Sequence, residues 1–191
     1  MKAMVARSPH EPFALEQREL PEPAAGQVRI KVHACGICHS DHLVQGAFWP
    51  GLQLPRVPGH EIAGVVDALG SGVRHVSIGA RVGVGWYGGS DGTCPSCLAG
   101  DFMTRQNGRI TGISSDGGYQ EYMLADANAV AKIPDGMEFT MAAPLMCAGI
   151  TTYNALRHSE ARPGDVVGIQ ALGGLGHLGV QFARAMGFEV C

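Results

Sequence analysis

Twenty-eight glycines and 11 prolines are spread through 191 residues, and this punctuation leaves little room for long helices. Proline removes a backbone donor, and both residues favour turns. Pro9, Pro12, Pro21, Pro23 and Gly26 isolate residues 2–7, 13–19 and 27–34, short segments rich in Val, Ile, Phe and Leu that read as strands of an irregular β domain. Val28-Arg29-Ile30-Lys31-Val32 alternates apolar and polar side chains, which predicts one buried and one wet face. One or two helical turns are expected within residues 36–46. Ile62 to Leu69 and Arg81 to Trp86 extend the strand pattern between glycines. A polar lobe follows from Gly88 to Gly112, and Gly117 to Leu124 and Val130 to Ile133 resume the strands. The expectation is a Gly-rich β barrel.

From Asp135 the apolar spacing turns helical through Ala142, Leu145, Met146, Gly149, Tyr153 and Leu156. The longest uncharged run, Phe139 to Leu156, is shorter than the roughly 20 apolar residues of a membrane span and reads as a buried helix. Arg162-Pro163-Gly164-Asp165 then turns the chain into a strand at Val166 to Ile169, a helix runs from the next turn through Ala185, and residues 187–191 begin another strand. Residues 1–150 and 151–191 therefore divide into a mainly β domain and the beginning of an α/β domain. Parallel sheets are covered on both faces, so the second unit reads as the first part of a longer fold.

Fourteen basic and 17 acidic side chains give a net charge of -3 with no basic run, which points away from nucleic acid and anionic membranes and toward a small-molecule partner. The amino terminus has no apolar signal-like region, so a cytoplasmic protein with reduced thiols is expected, and its six cysteines are metal ligands or core rather than disulfides.

Chemistry gathers in Cys35-Gly36-Ile37-Cys38-His39-Ser40-Asp41-His42. Structural zinc takes four closed ligands, whereas catalytic zinc takes three and keeps one position open. Downstream lie Pro58-Gly59-His60-Glu61 and Met146-Cys147. One thiol of the first stretch, His60 and Cys147 compose a Cys2His set. The alternative is three separate core residues, since free cysteine is commonly buried. Leu172-Gly173-Gly174-Leu175-Gly176-His177 lies between a strand and a helix, the context in which a pyrophosphate meets a helix N-terminus. Ala171 occupies the first glycine position of G-x-G-x-x-G, which suits alanine only with negative φ.

With CGICHSD, VPGHE, CAGITTY and LGGLGHLG in this order and spacing, the chain resembles the zinc-dependent alcohol dehydrogenases of the medium-chain dehydrogenase/reductase family. The resemblance implies a mainly β GroES-like barrel domain followed by the first β-α-β of a Rossmann-type α/β domain, incomplete here. It implies one catalytic zinc on Cys38, His60 and Cys147, with Glu61 able to approach the metal and Cys35 left as a buried neighbour. Asp41 would brace His60. Ser40 would pass on the alcohol's proton, its plainer reading being a helix cap. The relay's usual outer histidine position holds Leu43, with His42 one residue early. His39 and Gly173, Gly174, Leu175 and Gly176 would contact NAD or NADP, the discriminating acid lying at or beyond Cys191. Trp49 and Trp86 would line a substrate pocket for an alcohol, aldehyde or ketone, and the full-length form is expected to be a homo-oligomer.

The family's structural-zinc lobe, C-x2-C-x2-C-x7-C, is represented by Asp91, Cys94, Cys97 and Arg105. Half its thiols are gone. The expectations are an empty lobe and an Asp91–Arg105 ion pair, with a Cys-x-x-Cys redox pair as the alternative. The activity implied is zinc-dependent hydride transfer between an alcohol and NAD(P), with little turnover from residues 1–191 alone. The competing readings are a non-catalytic zinc-binding fragment and a zinc-free quinone reductase-like relative, the latter opposed by Cys38, His60 and Cys147 together.

Overall fold

The computed structural model describes residues 1–102 and 104–191. Two short strands, β1 (Lys2–Val5) and β2 (Ala14–Gln17), pair antiparallel. The next strand, β3 (Gln27–Cys35), leads through a turn into the short helix α1 (Asp41–Gln45). Strands β4 (Ile62–Leu69) and β5 (Arg81–Val84) follow, then helix α2 (Pro95–Leu98) in the polar lobe, and strands β6 (Tyr122–Asp126) and β7 (Val130–Lys132). They form one five-stranded antiparallel sheet in the order β6-β3-β4-β5-β7. Register shifts in β3 between Arg29 and Ile30 and between Val32 and Ala34 add twist where the strand crosses the sheet.

Alternation explains half of β3. Val28 and Ile30 are fully buried with Ile62, Val66, Val82, Val84 and Met123, and each such side chain contributes about 1.5–3 kcal/mol through loss of apolar surface from water. The predicted wet face is only partly wet, because Arg29 is also buried. Its guanidinium donates to Asp67 at 3.0 and 3.1 Å, to Glu22 at 2.9 Å and to the Pro21 carbonyl at 3.0 Å. The Pro21-Glu22 segment covers that face and satisfies the charge it buries.

The uncharged run is not one buried helix. Helix α3 (Phe139–Ala142) gives way to a 3₁₀ turn over Ala143–Met146, and helix α4 (Ala148–Arg157) starts afresh. Pro144 has no N–H for the helical ladder, so the α form stops there. Met141 and Ile150 are exposed by 68% and 57%, so the run also carries a solvent-facing side. The 3₁₀ turn lies directly on β5: a Cβ at Gly83 would stand 2.2 Å from Met146 Sδ, and one at Gly85 2.3 Å from the Met146 carbonyl oxygen. Gly83 in the strand and Gly85 just after it thus let the segment bearing Cys147 reach the sheet.

Beyond α4, β8 (Val166–Val167) and β9 (Glu189–Val190) pair parallel, joined by helix α5 (Gly174–Ala185). Tyr153 of α4 meets Phe182 of α5 edge to face at 6.2 Å. At the glycine-rich turn Ala171 has φ 67°, contrary to the negative φ anticipated for it. The tight turn demands the left-handed region whatever residue occupies it, at a cost of about 1–2 kcal/mol for alanine. A Cβ on Gly176 would lie 1.7 Å from the Ala171 carbonyl oxygen, so that close approach requires glycine. Among the described residues no helix is long and apolar enough to cross a membrane.

Candidate metal centre

Three separate chain segments converge at one end of the β3–β4 pair. Cys38 lies in the turn after β3, His60 and Glu61 immediately precede β4, and Cys147 stands at the N-terminal boundary of α4. Their ligand atoms all lie within 4.8 Å of one another. Cys38 Sγ and Cys147 Sγ are 4.0 Å apart, close to the about 3.8 Å separating two thiolates held about 2.3 Å from a tetrahedral zinc. Cys35 is outside this group, its thiol turned to the Gly36 carbonyl at 3.6 Å and pushed up to about 12 by burial.

His60 shows which way the group faces. Its Nδ1 meets Asp41 Oδ1 at 3.4 Å, while Nε2 is buried without a hydrogen-bond partner. A buried polar atom left unpaired costs about 1–3 kcal/mol, and this one points among two sulfurs and a carboxylate. The donor set therefore fits a thiophilic divalent cation. Electrostatics agree. Burial by itself would lower the His60 imidazole, but Asp41 and Cys147 outweigh it and push it up to about 10. Burial would raise the Cys38 thiol, yet the Ser40 N–H and hydroxyl and His60 bring it below the usual value. The Cys147 thiol is raised, the pull of His60 being exceeded by burial and by the neighbouring Cys38 and Glu61. Burial also raises Glu61, against the attraction of His60.

Asp41 is held on every side. Its Oδ2 accepts the Cys38 N–H at 2.9 Å and the Tyr119 hydroxyl at 2.6 Å, and its Oδ1 accepts the Gly59 N–H at 3.2 Å. Burial opposes the charge, but His60, Tyr119 and the Cys38 N–H keep the carboxyl below its ordinary range. Gly59, at φ 95°, lies against the Tyr119 ring, which a Cβ would approach to 2.6 Å. Tyr119 was invisible to motif reading: it follows Gly117-Gly118 in a stretch read only as strand, 78 positions from Asp41.

Ser40 heads α1 but makes no side-chain capping bond, its hydroxyl serving Cys38 instead. The Trp86 ring meets that of His60 nearly perpendicular at 4.9 Å, and Trp49 meets Trp86 at 5.7 Å, so Trp86 stands beside the group with Trp49 behind it. Cys38 and exposed His39 line a separate cleft of ≈ 900 Å³ with Phe13, Asp41 and Tyr119. Leu43 is half-buried, and His42 Nδ1 lies 3.3 Å from Gln45 Oε1. The glycine-rich turn, Gly173 to Gly176, opens α5 away from these residues in sequence and is largely exposed.

In the lobe, Asp91, Cys94 and Cys97 form a second close group. The anticipated Asp91–Arg105 ion pair is not among those of the described residues. Asp91 accepts from Thr93 N at 3.0 Å and Asn107 Nδ2 at 2.8 Å. Arg105 donates to the carbonyls of Arg109 at 2.8 Å and of Phe102, and lies 4.7 Å over the Tyr87 ring. Two backbone carbonyls and an aromatic face engage the guanidinium in place of a carboxylate, leaving its buried Nε without a hydrogen-bond partner.

The strand ends of an antiparallel β domain gather two thiols, an imidazole and a carboxylate that could hold a metal ion. Residues 24–135, more than half of the chain, match the family described as the alcohol dehydrogenase GroES-like domain, and the chain belongs to that family. It is 47% identical over 178 residues to the alcohol dehydrogenase patD of Aspergillus clavatus, covering 93% of this chain and 46% of that protein. It is 44% identical over 191 residues to an alcohol dehydrogenase of Geobacillus stearothermophilus, covering 100% of this chain and 57% of that one. The chain thus spans about half the length of these relatives. Among solved structures, the cobalt- and zinc-bound thermostable alcohol dehydrogenase from Pyrobaculum aerophilum superposes with a TM-score of 0.90 at 33% identity, over 100% of this chain and 58% of that one. The CAD from Helicobacter pylori complexed with NADP(H) gives 0.91 at 33%, over 99% and 57%.

Proposed function

We propose that residues 1–150 form the zinc-binding catalytic domain of an alcohol dehydrogenase that interconverts a primary or secondary alcohol with its carbonyl compound, and that residues 151–191 begin a Rossmann-type domain for NAD or NADP. The reading rests on one observation above all: His60 Nε2, buried and unpaired, faces the sulfurs of Cys38 and Cys147. When bound, zinc supplies a Lewis acid that lowers the pKa of the alcohol hydroxyl, and the nicotinamide supplies the hydride acceptor.

The remaining work falls to side chains of the chain itself. Cys38, His60 and Cys147 would hold the ion as two thiolates and a neutral imidazole. Asp41 accepts from His60 Nδ1 and keeps Nε2 free to ligate. The Ser40 hydroxyl, beside Cys38, would take up the alcohol's proton. Glu61 stays within ligating reach and serves ligand exchange. Trp49 and Trp86 wall the substrate side and exclude water near His60. His39 and the amides of Gly173 to Gly176 receive the cofactor pyrophosphate.

The family and relatives support the alcohol chemistry, and the absence of a basic run supports a small-molecule substrate. The 191-residue chain is expected to bind one zinc per molecule and to show little alcohol-dependent reduction of NAD or NADP, because the relatives are nearly twice as long. Elemental analysis and a spectrophotometric assay test both halves. Zinc bound elsewhere than at Cys38, His60 and Cys147 overturns the ligand assignment.

A further inference from the structure

The lobe between Gly88 and Gly112 is not used by the proposed reaction, yet it brings two thiols into contact. Cys94 and Cys97 are both buried, at 5% and 8% exposure, with their sulfurs 3.1 Å apart. The Cys97 N–H donates to Cys94 Sγ at 3.4 Å, so the backbone favours charge on that sulfur. A disulfide has its sulfurs about 2.05 Å apart, so the two thiols stand within roughly 1 Å of bonding distance on a single helical turn. The other two positions that could complete a metal cage are committed. Asp91 is exposed and already accepts from Thr93 and Asn107, and Arg105 cannot ligate and is taken up by the Phe102 and Arg109 carbonyls and the Tyr87 face. Three donors of which one is satisfied fall short of the four that structural zinc takes.

We propose that Cys94 and Cys97 are a reversible oxidation site, a dithiol that closes to an intrachain disulfide at the expense of a low-molecular-weight disulfide such as oxidised glutathione. The Cys94 thiolate attacks one glutathione sulfur, the glutathione S–S bond breaks, and one glutathione thiolate leaves and takes up a proton. Cys97 then loses its proton and attacks Cys94 Sγ in the mixed disulfide, and the second glutathione leaves. Two protein thiols are oxidised, one glutathione disulfide is reduced to two glutathione thiols, and one S–S bond replaces another. The covalent link stands where the lobe's missing thiols leave no metal cross-link.

The zinc-loaded 191-residue chain, equilibrated with glutathione buffers of increasing oxidised fraction, alkylated and mapped by peptide mass, gives the test. Exposed Cys191 serves as the internal reference. The expected result is a peptide lighter by two hydrogens linking Cys94 to Cys97, formed in buffers where Cys191 carries glutathione. In Cys97→Ser, Cys94 should instead retain glutathione, since the resolving thiol is gone. Three results overturn the proposal: both lobe thiols remaining alkylatable while Cys191 is modified, stable glutathione adducts on Cys94 in the unmutated chain, or protection of the two thiols by added zinc and its loss on chelation.

Discussion

Two groups of thiols in this chain differ less in ligand count than in what stands behind the ligands. At the Cys38–His60–Cys147 group, residues from three distant segments meet on a rigid sheet, and Asp41 behind His60 is pinned by two backbone N–H groups and the Tyr119 hydroxyl. At the Cys94–Cys97 group, both thiols come from one four-residue helix and its cap, and the adjoining Asp91 is exposed. The first arrangement holds its donor atoms apart at a metal's spacing, while the second lets its sulfurs collapse onto each other, at 4.0 and 3.1 Å respectively. Support behind the ligands, rather than the ligands themselves, separates the proposed metal centre from the proposed dithiol.

Cys38→Ser should abolish stoichiometric zinc binding, the largest effect expected, while Cys35→Ser and Cys94→Ser leave it nearly intact. Metal analysis of the three purified variants decides, and equal losses in Cys35→Ser and Cys38→Ser would return the ligand assignment to the pair. Ile30→Ala, in the sheet that carries the centre, should cost about 2–5 kcal/mol in denaturant unfolding, as expected for a fully buried aliphatic side chain. Tyr119→Phe keeps the ring against Gly59 and deletes only the hydroxyl donated to Asp41. It should weaken zinc binding about tenfold in chelator competition, at the lower end for residues that orient a metal ligand, and unchanged affinity would show that the backbone donors suffice to hold Asp41.

The same comparison predicts a pH dependence. In the metal-free chain His60 is raised from 6.5 to about 10, so the folded state holds this proton more tightly than the unfolded one. That stabilisation is complete below pH 6.5 and disappears as pH climbs through about 10. The raised Cys147 thiol acts in the same direction and the lowered Cys38 thiol against it. Melting temperature of the metal-free chain should therefore fall across this window, and His60→Asn should flatten the slope. Smallest of all, Leu98→Ala in the lobe should change stability by less than about 0.5 kcal/mol, because this side chain is 76% exposed. A larger loss would mean that the lobe is part of the cooperative core.

Much of the sheet was legible because β3 and β4 carry dense runs of β-branched residues between turn-forming neighbours. The observed strands, Gln27–Cys35 and Ile62–Leu69, follow the predicted segments within a residue. The centre was legible through residue type and context, and the fold brings Cys38, His60, Glu61 and Cys147 together. Arg29 was misread because alternation reports only one sheet face, and the segment that covers the other is remote from β3 in character. The helical reading of Phe139 to Leu156 failed for the opposite reason: its spacing is helical on average, but Pro144 interrupts the ladder locally. The Asp91–Arg105 pair was inferred from charge, whereas Asp91 is engaged by Thr93 and Asn107 and Arg105 by backbone carbonyls and the Tyr87 ring.

By itself the sequence determined which residues could take part: short apolar strands, glycines where backbones must approach, and thiols and imidazoles able to ligate or react. Those are properties of single residues and near neighbours. Tertiary structure alone decided how closely Cys38 approaches Cys147, that His60 offers Nε2 and not Nδ1, and that Tyr119 reaches Asp41. Each of these depends on strand register and on how closely the Met146 segment rests on Gly83 and Gly85. A one-residue slip in a strand reverses every side chain it carries, so orientation at the centre is set by packing across the sheet, among residues that the chain places far apart.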